Sequence, residues 1–324
     1  MLNTIKSVML GHAVGDALGV PFEFCDRAFL QNHPVTDMMG FGTYNVPAGT
    51  WSDDTSMSLC ALDILANGTI NYEDIMKNFG KWYYDGYFTA TGEVFDIGNT
   101  CCDAIHNYFD LGYNATECGL ANERANGNGS LMRIHPFVLY AYYNRIEGDN
   151  FVGLIMKASS LTHAHQYSLD GCVIYAYVLK GLLEYQSKDF VYIGLEKAKH
   201  WIRCKGIYSR VLNGDISVIP ISEIKSSGYV VSSLEAAIWC LLTTESYSDC
   251  VLKAVNLGGD TDTIAAIAGG LAGALYGIDD IPQNWMNTLK RRDYIEHMCE
   301  NAYDAWRKIN VQSVRHSCTY NSWR

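Results

Sequence analysis

Apolar residues recur along most of the chain at the three- and four-residue spacing that is typical of amphipathic helices. The first series, which starts at Ile5, predicts a helix that ends near Gly19. Residues 54–66 form a second series, which follows a Ser/Asp start signal and is closed by Asn67-Gly68. Further helices are predicted near residues 73–84, 98–111, 129–143, 149–161, 167–187, 189–204, 232–244, 247–256, 262–276 and 292–307.

Strand signals are weak by comparison. Only residues 211–224 and 228–231 are notably β-branched, and both stretches are short. Residues 20–50 are richer in Gly, Pro and Asn, which predicts a long loop. The chain has no fixed-period repeat, no low-complexity segment and no obvious interdomain linker. We therefore predict an all-α fold in which residues 1–324 form a single domain.

Composition narrows the class of protein. Of the 324 residues, 48% are hydrophobic and 18% are charged, so a large core is available and wholesale disorder is excluded. The formal charge of −11, with no basic stripe, argues against nucleic-acid binding.

The most apolar run, residues 264–278, is shorter than the roughly 20 residues of a membrane-spanning helix. Eleven scattered cysteines without a Cys-x-x-Cys motif indicate reduced thiols, and residues 1–13 lack a signal-peptide pattern. We expect a cytoplasmic monomer that acts apart from membranes.

Two short acidic runs lie near opposite ends of the chain, and each opens a small-residue, apolar helix. Their oxygen-bearing side chains are Ser52, Asp53 and Asp54 in the first run, and Asp260, Asp262 and Thr263 in the second. Clustered oxygen-only ligands suit Mg²⁺, Mn²⁺ or Ca²⁺ rather than zinc or copper. Helix capping is the simpler explanation, because Asp, Ser and Thr all cap helix N-termini. A cap requires fewer such side chains than each run supplies, so we predict a divalent-metal site built from two distant helix starts.

Other polar groups interrupt the apolar pattern. The segment from Gly127 to Arg133 is a glycine-rich loop before a helix, which suits a pyrophosphate bound on free amides or, equally, a plain turn. Asp96 and Glu23 are acids among apolar residues, and each is either a loop-pinning or a catalytic group. Tyr229 is either a core aromatic residue or a stacking platform. His163 has no third matching zinc ligand beside His165, which favours a structural or substrate-contacting role.

Together these segments resemble the ADP-ribosylglycohydrolase family, the hydrolases that remove ADP-ribose from modified proteins. The matching segments occur in the family's order, and they are Gly15–Gly19 with Glu23, Trp51–Thr55, Asp96–Asn99, Gly127–Arg133, Leu161–His163, Gly228–Val230 and Gly259–Thr263. They span most of residues 8–280. The two acidic motifs are highly specific in combination, whereas the glycine loop and the histidine are weaker signals.

The resemblance implies a multi-helix orthogonal bundle with a binuclear Mg²⁺ or Mn²⁺ centre at the base of an ADP-ribose cleft. By position, the metal ligands would be Ser52, Asp53, Asp54, Asp260, Asp262 and Thr263. Asp96 would assist the ribose chemistry as the first candidate acid–base group, and Glu23 would lie beside the metals as the second. The substrate-binding residues would be Gly127, Asn128, Gly129, Ser130 and Met132 for the diphosphate, and His163, Asn99 and Tyr229 for the ribose, the leaving group or the adenosine. Direct water attack and ribose ring opening are both compatible with these residues.

The segments Gly228–Val230 and Asp96–Asn99 resemble most the bacterial dinitrogenase-reductase-activating branch, which releases ADP-ribose from arginine. We therefore expect an ADP-ribosylated protein as the substrate, free ADP-ribose as the product and N-linked arginine as the modified side chain. The alternatives are hydrolysis of O-linked ADP-ribose from serine or O-acetyl-ADP-ribose, a catalytically silent ADP-ribose binder, a metal phosphohydrolase of nucleotides, and an immunity protein that reverses a toxin's modification. Residues 281–324 match no motif and are a possible peripheral C-terminal addition.

Overall fold

The computed structural model describes the backbone of residues 1–320 and the side chains of residues 1–308. These residues form helices joined by loops, and they contain no β-strand beyond two isolated bridges. The helices are α1 Leu2–Gly19, α2 Arg27–Asn32, α3 Asp53–Leu65, α4 Tyr72–Asp85, α5 Asn99–Phe109, α6 His135–Tyr143, α7 Gly148–Ser160, α8 Gln166–Tyr185, α9 Asp189–Ala198, α10 Ser209–Leu212, α11 Val230–Leu242, α12 Tyr247–Val255, α13 Thr261–Tyr276, α14 Gln283–Thr288 and α15 Arg292–Tyr320. The predicted all-α fold is confirmed.

Several elements differ from the sequence prediction, and one of them is the helix predicted over residues 189–204, which ends at Ala198. The helix predicted over residues 129–143 begins only at His135, because residues 129–134 form turns and Pro136 occupies the first helical turn. The predicted loop over residues 20–50 contains the short helix α2. The β-branched stretch 211–224 forms the end of α10 and two 3₁₀ turns and contains no strand, in agreement with the all-α prediction.

Helices α1 and α13 form the centre of the molecule, packed antiparallel with their backbones in contact. A Cβ built on Gly273 would lie 2.0 Å from the Ser7 carbonyl oxygen, and one built on Gly15 would lie 2.1 Å from that of Ala265. Only glycine permits such an approach. The pairing brings the C-terminal end of α1 against the first turn of α13, where a Cβ on Gly19 would meet the backbone of Asp262.

The C-terminal segment packs against this centre over its described side chains. Trp285, Ile295 and Trp306 are buried in the core. The indole of Trp306 donates to the Leu65 carbonyl at the end of α3, 2.8 Å away. The indole of Trp51 donates in turn to the Lys290 carbonyl at 2.8 Å. The segment predicted as a possible peripheral addition therefore supports the loop that leads into the first acidic run.

Four helices begin at the same face of the molecule. The first residues of α3, α5 and α13, together with the turn before α11, surround a single cleft. Helix N-termini present free N–H groups and the positive end of the helix dipole, so this face favours negative charge. Among the described residues, no helix combines the length and the hydrophobicity that crossing a bilayer requires.

The α1–α13 contact generates a prediction about stability. Gly273→Ala should destabilise the protein by about 1–3 kcal/mol, because its methyl group would press on the Ser7 backbone. Gly153→Ala in α7 is the matched control, since a Cβ there meets nothing within 4 Å. The control should gain about 1 kcal/mol from helix propensity. Denaturant unfolding measures both variants, and equal stabilities would contradict the proposed tight contact.

Candidate active site and metal centre

The face where the helices begin holds a cleft with a volume of about 490 Å³. Its polar lining comes from both acidic runs and from the loops between them. The lining residues are Glu23, Phe24, Asp53, Asp96, Ile97, Gly98, Asn99, Thr100, Cys101, Arg124, Gly127, Asn128, Gly129, Met132, His163, Gly228, Asp260 and Thr263. The structure therefore gathers most of the residues that the sequence singled out.

The two acidic runs meet below the floor of this cleft. The Thr263 hydroxyl donates to Oδ2 of Asp54 at 3.3 Å, although the two residues are 209 positions apart. Asp54 and Asp262 are fully buried, whereas Asp53 and Asp260 reach the cleft itself. The runs thus form one continuous acidic centre, as a shared metal site requires.

Asp16 fixes the start of α3 from a neighbouring helix. Its buried carboxylate accepts hydrogen bonds from the Ser52 N–H at 2.9 Å, the Thr55 N–H at 3.1 Å and the Thr55 hydroxyl at 2.6 Å. Ser52 also caps the helix, because its Oγ accepts from the Asp54 N–H at 3.3 Å and donates to Oδ2 of Asp54 at 3.2 Å. Asp53 and Asp54 are therefore left free of the capping role.

The second run is held by a different arrangement. Asp260 occupies the N-cap position of α13, yet its side chain makes no capping bond and instead accepts from Nδ2 of Asn128 at 2.8 Å. The preceding Gly259 has a φ of +75°, which lets the chain turn sharply. Its backbone pairs with the segment that follows Glu23, because the Phe24 N–H donates to the Gly259 carbonyl at 2.7 Å. This pairing brings Glu23 to the acids of the second run.

The resulting carboxylate group has the composition of a cation site. Oxygens of Glu23, Asp260 and Asp262 all lie within 4.8 Å of one another. One oxygen on each of these acids, and one on Asp54, is buried without a hydrogen-bond partner. Buried carboxylates without a compensating partner are costly, and oxygen-only donors suit a hard divalent cation. The residues present therefore fit Mg²⁺ or Mn²⁺, with Glu23 as a member of the group.

Burial and mutual repulsion dominate the electrostatics of this group. Burial raises the pKa values of Asp53, Asp54 and Asp262 well above the usual range, and the charges of neighbouring acids add to the rise. Burial, followed by the charge of Asp96, raises the pKa of Glu23 to about 8. Without a cation, burial and the crowding of charge therefore favour the protonated forms of these acids.

Asp96 lies on the loop that precedes α5, and its carboxyl faces the same cleft. Its backbone is in the left-handed region with φ of +65°. The hydroxyl of Tyr44 donates to its Oδ1 at 2.5 Å. Burial raises the pKa of Asp96 above its usual range.

The glycine-rich loop borders the cleft with its backbone. The Asn128 N–H donates to the Gly228 carbonyl at 3.0 Å, so the loop is tied to the turn before α11. Gly129 fits tightly, since a Cβ there would lie 2.9 Å from the Cys101 sulfur. The Ser130 side chain, however, turns into the interior, where its hydroxyl accepts from that of Ser159 at 2.8 Å. Ser130 can therefore meet a ligand only through its backbone.

His163 and Tyr229 occupy different positions relative to the cleft. His163 lines it and is buried, and its Nδ1 lies 2.9 Å from the Thr162 hydroxyl, which accepts from the Arg133 guanidinium at 2.7 Å. Burial, then the Arg133 charge, lowers the pKa of His163 to about 3, so its imidazole is neutral. Tyr229 is half-buried and outside the lining, and its backbone pairs with Gly127.

Sequence reasoning missed three residues of this site. Asp16 had a signal, because it is an acid within an apolar helix, but its function as a remote cap for α3 depends on the fold. Tyr44 lies in a Gly- and Pro-containing loop, where nothing in the sequence marks its contact with Asp96. Arg124 is an exposed cation at the cleft without a local motif.

Comparison with known proteins shows what the whole chain is similar to. A model of the ADP-ribosylglycohydrolase family matches residues 1–311. The ADP-ribosylarginine hydrolase Tri1 of Serratia proteamaculans (strain 568) is 31% identical over 305 residues, covering 93% of this chain and 79% of the relative. The glycohydrolase of ADP-ribosyl-dinitrogen reductase from Rhodospirillum rubrum is 31% identical over 285 residues, covering 86% and 88%. A solved structure described as an ADP-ribosylglycohydrolase-related protein complex has a TM-score of 0.79 at 30% identity, covering 94% and 98%.

The resemblance seen in the sequence motifs is thereby confirmed over nearly the whole chain, and the chain belongs to the ADP-ribosylglycohydrolase family.

Proposed function

We propose that the protein is a metal-dependent hydrolase that removes ADP-ribose from N-linked ADP-ribosyl-arginine in modified proteins. The observation that carries this proposal is the convergence of both acidic runs and Glu23 beneath one cleft, beside a glycine-rich loop. Similarity to an enzyme described as an ADP-ribosylarginine hydrolase supports arginine as the modified residue. Release of free ADP-ribose is the expected outcome.

Glu23, Asp260 and Asp262 are the first candidates to hold two divalent cations, Mg²⁺ or Mn²⁺. The proposed ligand set is completed by Asp53 and Asp54 at the start of α3 and by Thr263 at the start of α13. Ser52 supports this set because its hydroxyl donates to Oδ2 of Asp54. When bound, such cations supply Lewis acidity towards sugar hydroxyls and water. The negative charge of these carboxylates stabilises the positive charge that develops on the ribose ring at this end of the cleft.

The remainder of the cleft suits the other parts of ADP-ribose. Backbone N–H groups of the loop from Gly127 to Met132 can receive the diphosphate, helped by the nearby start of α11. The neutral imidazole of His163 and the amide of Asn99 offer hydrogen bonds to the ribose or the leaving group. Tyr229 lies at the edge of this loop, where its ring can contact the adenosine.

Asp96 is the proposed acid–base group. In its protonated form, the carboxyl gives a proton to the departing guanidine nitrogen as the bond to the ribose C1″ breaks. The resulting carboxylate then accepts a proton from the water whose oxygen adds to C1″. Glu23 is the second candidate for this proton transfer, but its place among the proposed cation ligands makes that role less favourable.

The substrate class is tested with matched peptides that carry ADP-ribose on arginine or on serine. Purified protein with Mg²⁺ or Mn²⁺ should release ADP-ribose from the arginine peptide, and removal of divalent cations by a chelator should abolish the release. Chromatography of the nucleotide products measures the reaction. Cleavage confined to the serine peptide would move the protein to the O-linked alternative, and binding of ADP-ribose without cleavage of either peptide would identify a silent binder.

Asp260→Asn should abolish metal-dependent release of ADP-ribose while the fold is retained. The amide has nearly the same size and still accepts from Asn128, but it lacks the negative charge that a cation requires. Release assays measure the loss, and circular dichroism verifies folding. Asp103→Asn, on the exposed face of α5, is the matched control and should retain full activity. Undiminished activity of the Asp260 variant would contradict the metal assignment.

The raised pKa values predict how cations affect stability. The folded, metal-free protein keeps protons that the unfolded chain releases above about pH 4. Its free energy of unfolding therefore falls as pH rises, until the folded pKa is passed, which is about 8 for Glu23. Thermal unfolding should show a larger Tm increase from Mg²⁺ or Mn²⁺ at about pH 8 than at about pH 6, because cations replace these protons. An equal increase at both pH values would contradict the electrostatic account.

A further inference from the structure

We propose that Tyr44 is a positioning residue for this reaction and that its hydroxyl holds the carboxyl of Asp96 in the cleft. The inference rests on the proposed function, because it concerns the group assigned to proton transfer there. Tyr44 lies in the loop between α2 and α3, and it reaches Asp96 across 52 positions of the sequence.

Two contacts join Tyr44 to the segment around Asp96. The hydroxyl donates to Oδ1 of Asp96 at 2.5 Å. The Tyr44 ring also lies against that of Phe95, with centroids 4.9 Å apart at an interplanar angle of 47°. The ring contact fixes the direction of the side chain, and the hydrogen bond occupies one carboxyl oxygen. Tyr44 therefore fixes one of the two oxygens of a carboxyl that lines the cleft.

The backbone of Asp96 requires this kind of support. A non-glycine residue at φ of +65° is strained, and such strain costs about 1–3 kcal/mol unless the surroundings over-determine it. A Cβ on the nearby Gly98 would meet nothing within 4 Å, so the chain between Asp96 and α5 is not packed tightly at that point. The position of Asp96 therefore depends on contacts made from outside its own loop.

Tyr44 is itself anchored, and its anchor is the segment that carries Glu23. The Thr43 hydroxyl donates to the Glu23 carbonyl at 2.7 Å, and the Thr43 N–H donates to the Pro21 carbonyl at 3.0 Å. Gly42 is packed so closely that a Cβ there would lie 1.8 Å from the Pro21 carbonyl oxygen. Residues 42–44 thus connect the backbone beside Glu23 to the side chain of Asp96.

The Tyr44 hydroxyl acts as a donor and keeps its proton. Burial, followed by the hydrogen bond to Asp96, raises the pKa of Tyr44 above its usual range. A phenol that remains protonated cannot replace Asp96 in proton transfer at neutral pH. Tyr44 consequently affects the reaction by orienting Asp96. Loss of its hydroxyl should therefore lower kcat and leave KM unchanged.

Tyr44→Phe keeps the ring and its contact with Phe95 and removes only the hydroxyl. We expect kcat on the ADP-ribosyl-arginine peptide to fall about tenfold, which corresponds to the loss of one hydrogen bond to an acidic group. KM and the affinity for ADP-ribose should be unchanged. Tyr192→Phe is the matched control, since its hydroxyl donates to Asp215 at 2.7 Å on a surface outside the cleft.

A double-mutant cycle separates positioning from a general structural role. Asp96→Ala should lower kcat by about 10². Because Tyr44 acts through Asp96, the Tyr44→Phe change should cause no further loss in the Asp96→Ala background. A full tenfold loss in that background, or normal kcat in the single Tyr44 variant, would overturn the inference.

A crystal structure of the Tyr44→Phe variant supplies a readout besides activity. We expect the Asp96 carboxyl to rotate away from the position that it has in the wild-type protein. An unchanged carboxyl overturns the inference even if the wild-type protein cleaves none of the peptides. Inactivity of the wild-type protein on every peptide, by contrast, counts against the proposed function alone.

Discussion

The close antiparallel contact between α1 and α13 is the constraint on which the site depends. Glycines at the crossing let the two backbones touch, so the end of α1 lies against the start of α13. Asp16 at that end then reaches across to the first turn of α3 and binds its free N–H groups. One helix contact therefore sets the position of both acidic runs, although they are distant in the sequence.

Gathering so many acids has an electrostatic cost that the fold offsets only in part. The starts of α3 and α13 provide favourable dipoles, and Asn128, Ser52 and Thr263 donate hydrogen bonds to the carboxylates. These contacts still leave four buried carboxyl oxygens without a partner. In a site of ordinary structural acids, such atoms would be paired. The incomplete pairing distinguishes this acidic cluster from a set of helix caps, and it supports the proposed cation site.

Periodicity and capping signals in the sequence predicted most helices, because these are local patterns. The pairing of Ser52–Asp54 with Asp260–Thr263 was predicted instead from their matching oxygen-bearing side chains and from the family resemblance. The local signals failed where structure depends on non-local contacts. Residues 129–134 have helical spacing, but they form turns that follow Asn128, whose N–H is tied to the Gly228 carbonyl in the turn before α11. Ser130 belongs to a ligand-like motif, yet its hydroxyl packs inwards against Ser159. Glu23 joins the acidic cluster through a backbone pairing with Gly259 that no side-chain pattern encodes.

The acids of the site differ in how they are held, and the difference matches the work proposed for them. Asp54 and Asp262 lie in the first turns of long helices, where the backbone is rigid and the side chains are buried. Asp96 lies on a loop in a strained conformation and receives its orientation from Tyr44. Cation ligands require fixed positions, whereas a group that gives up and regains a proton must approach a leaving group and a water in turn. A carboxyl on a loop, oriented by a hydrogen bond from the neutral Tyr44 hydroxyl, meets that second requirement better than a carboxyl in the first turn of a rigid helix.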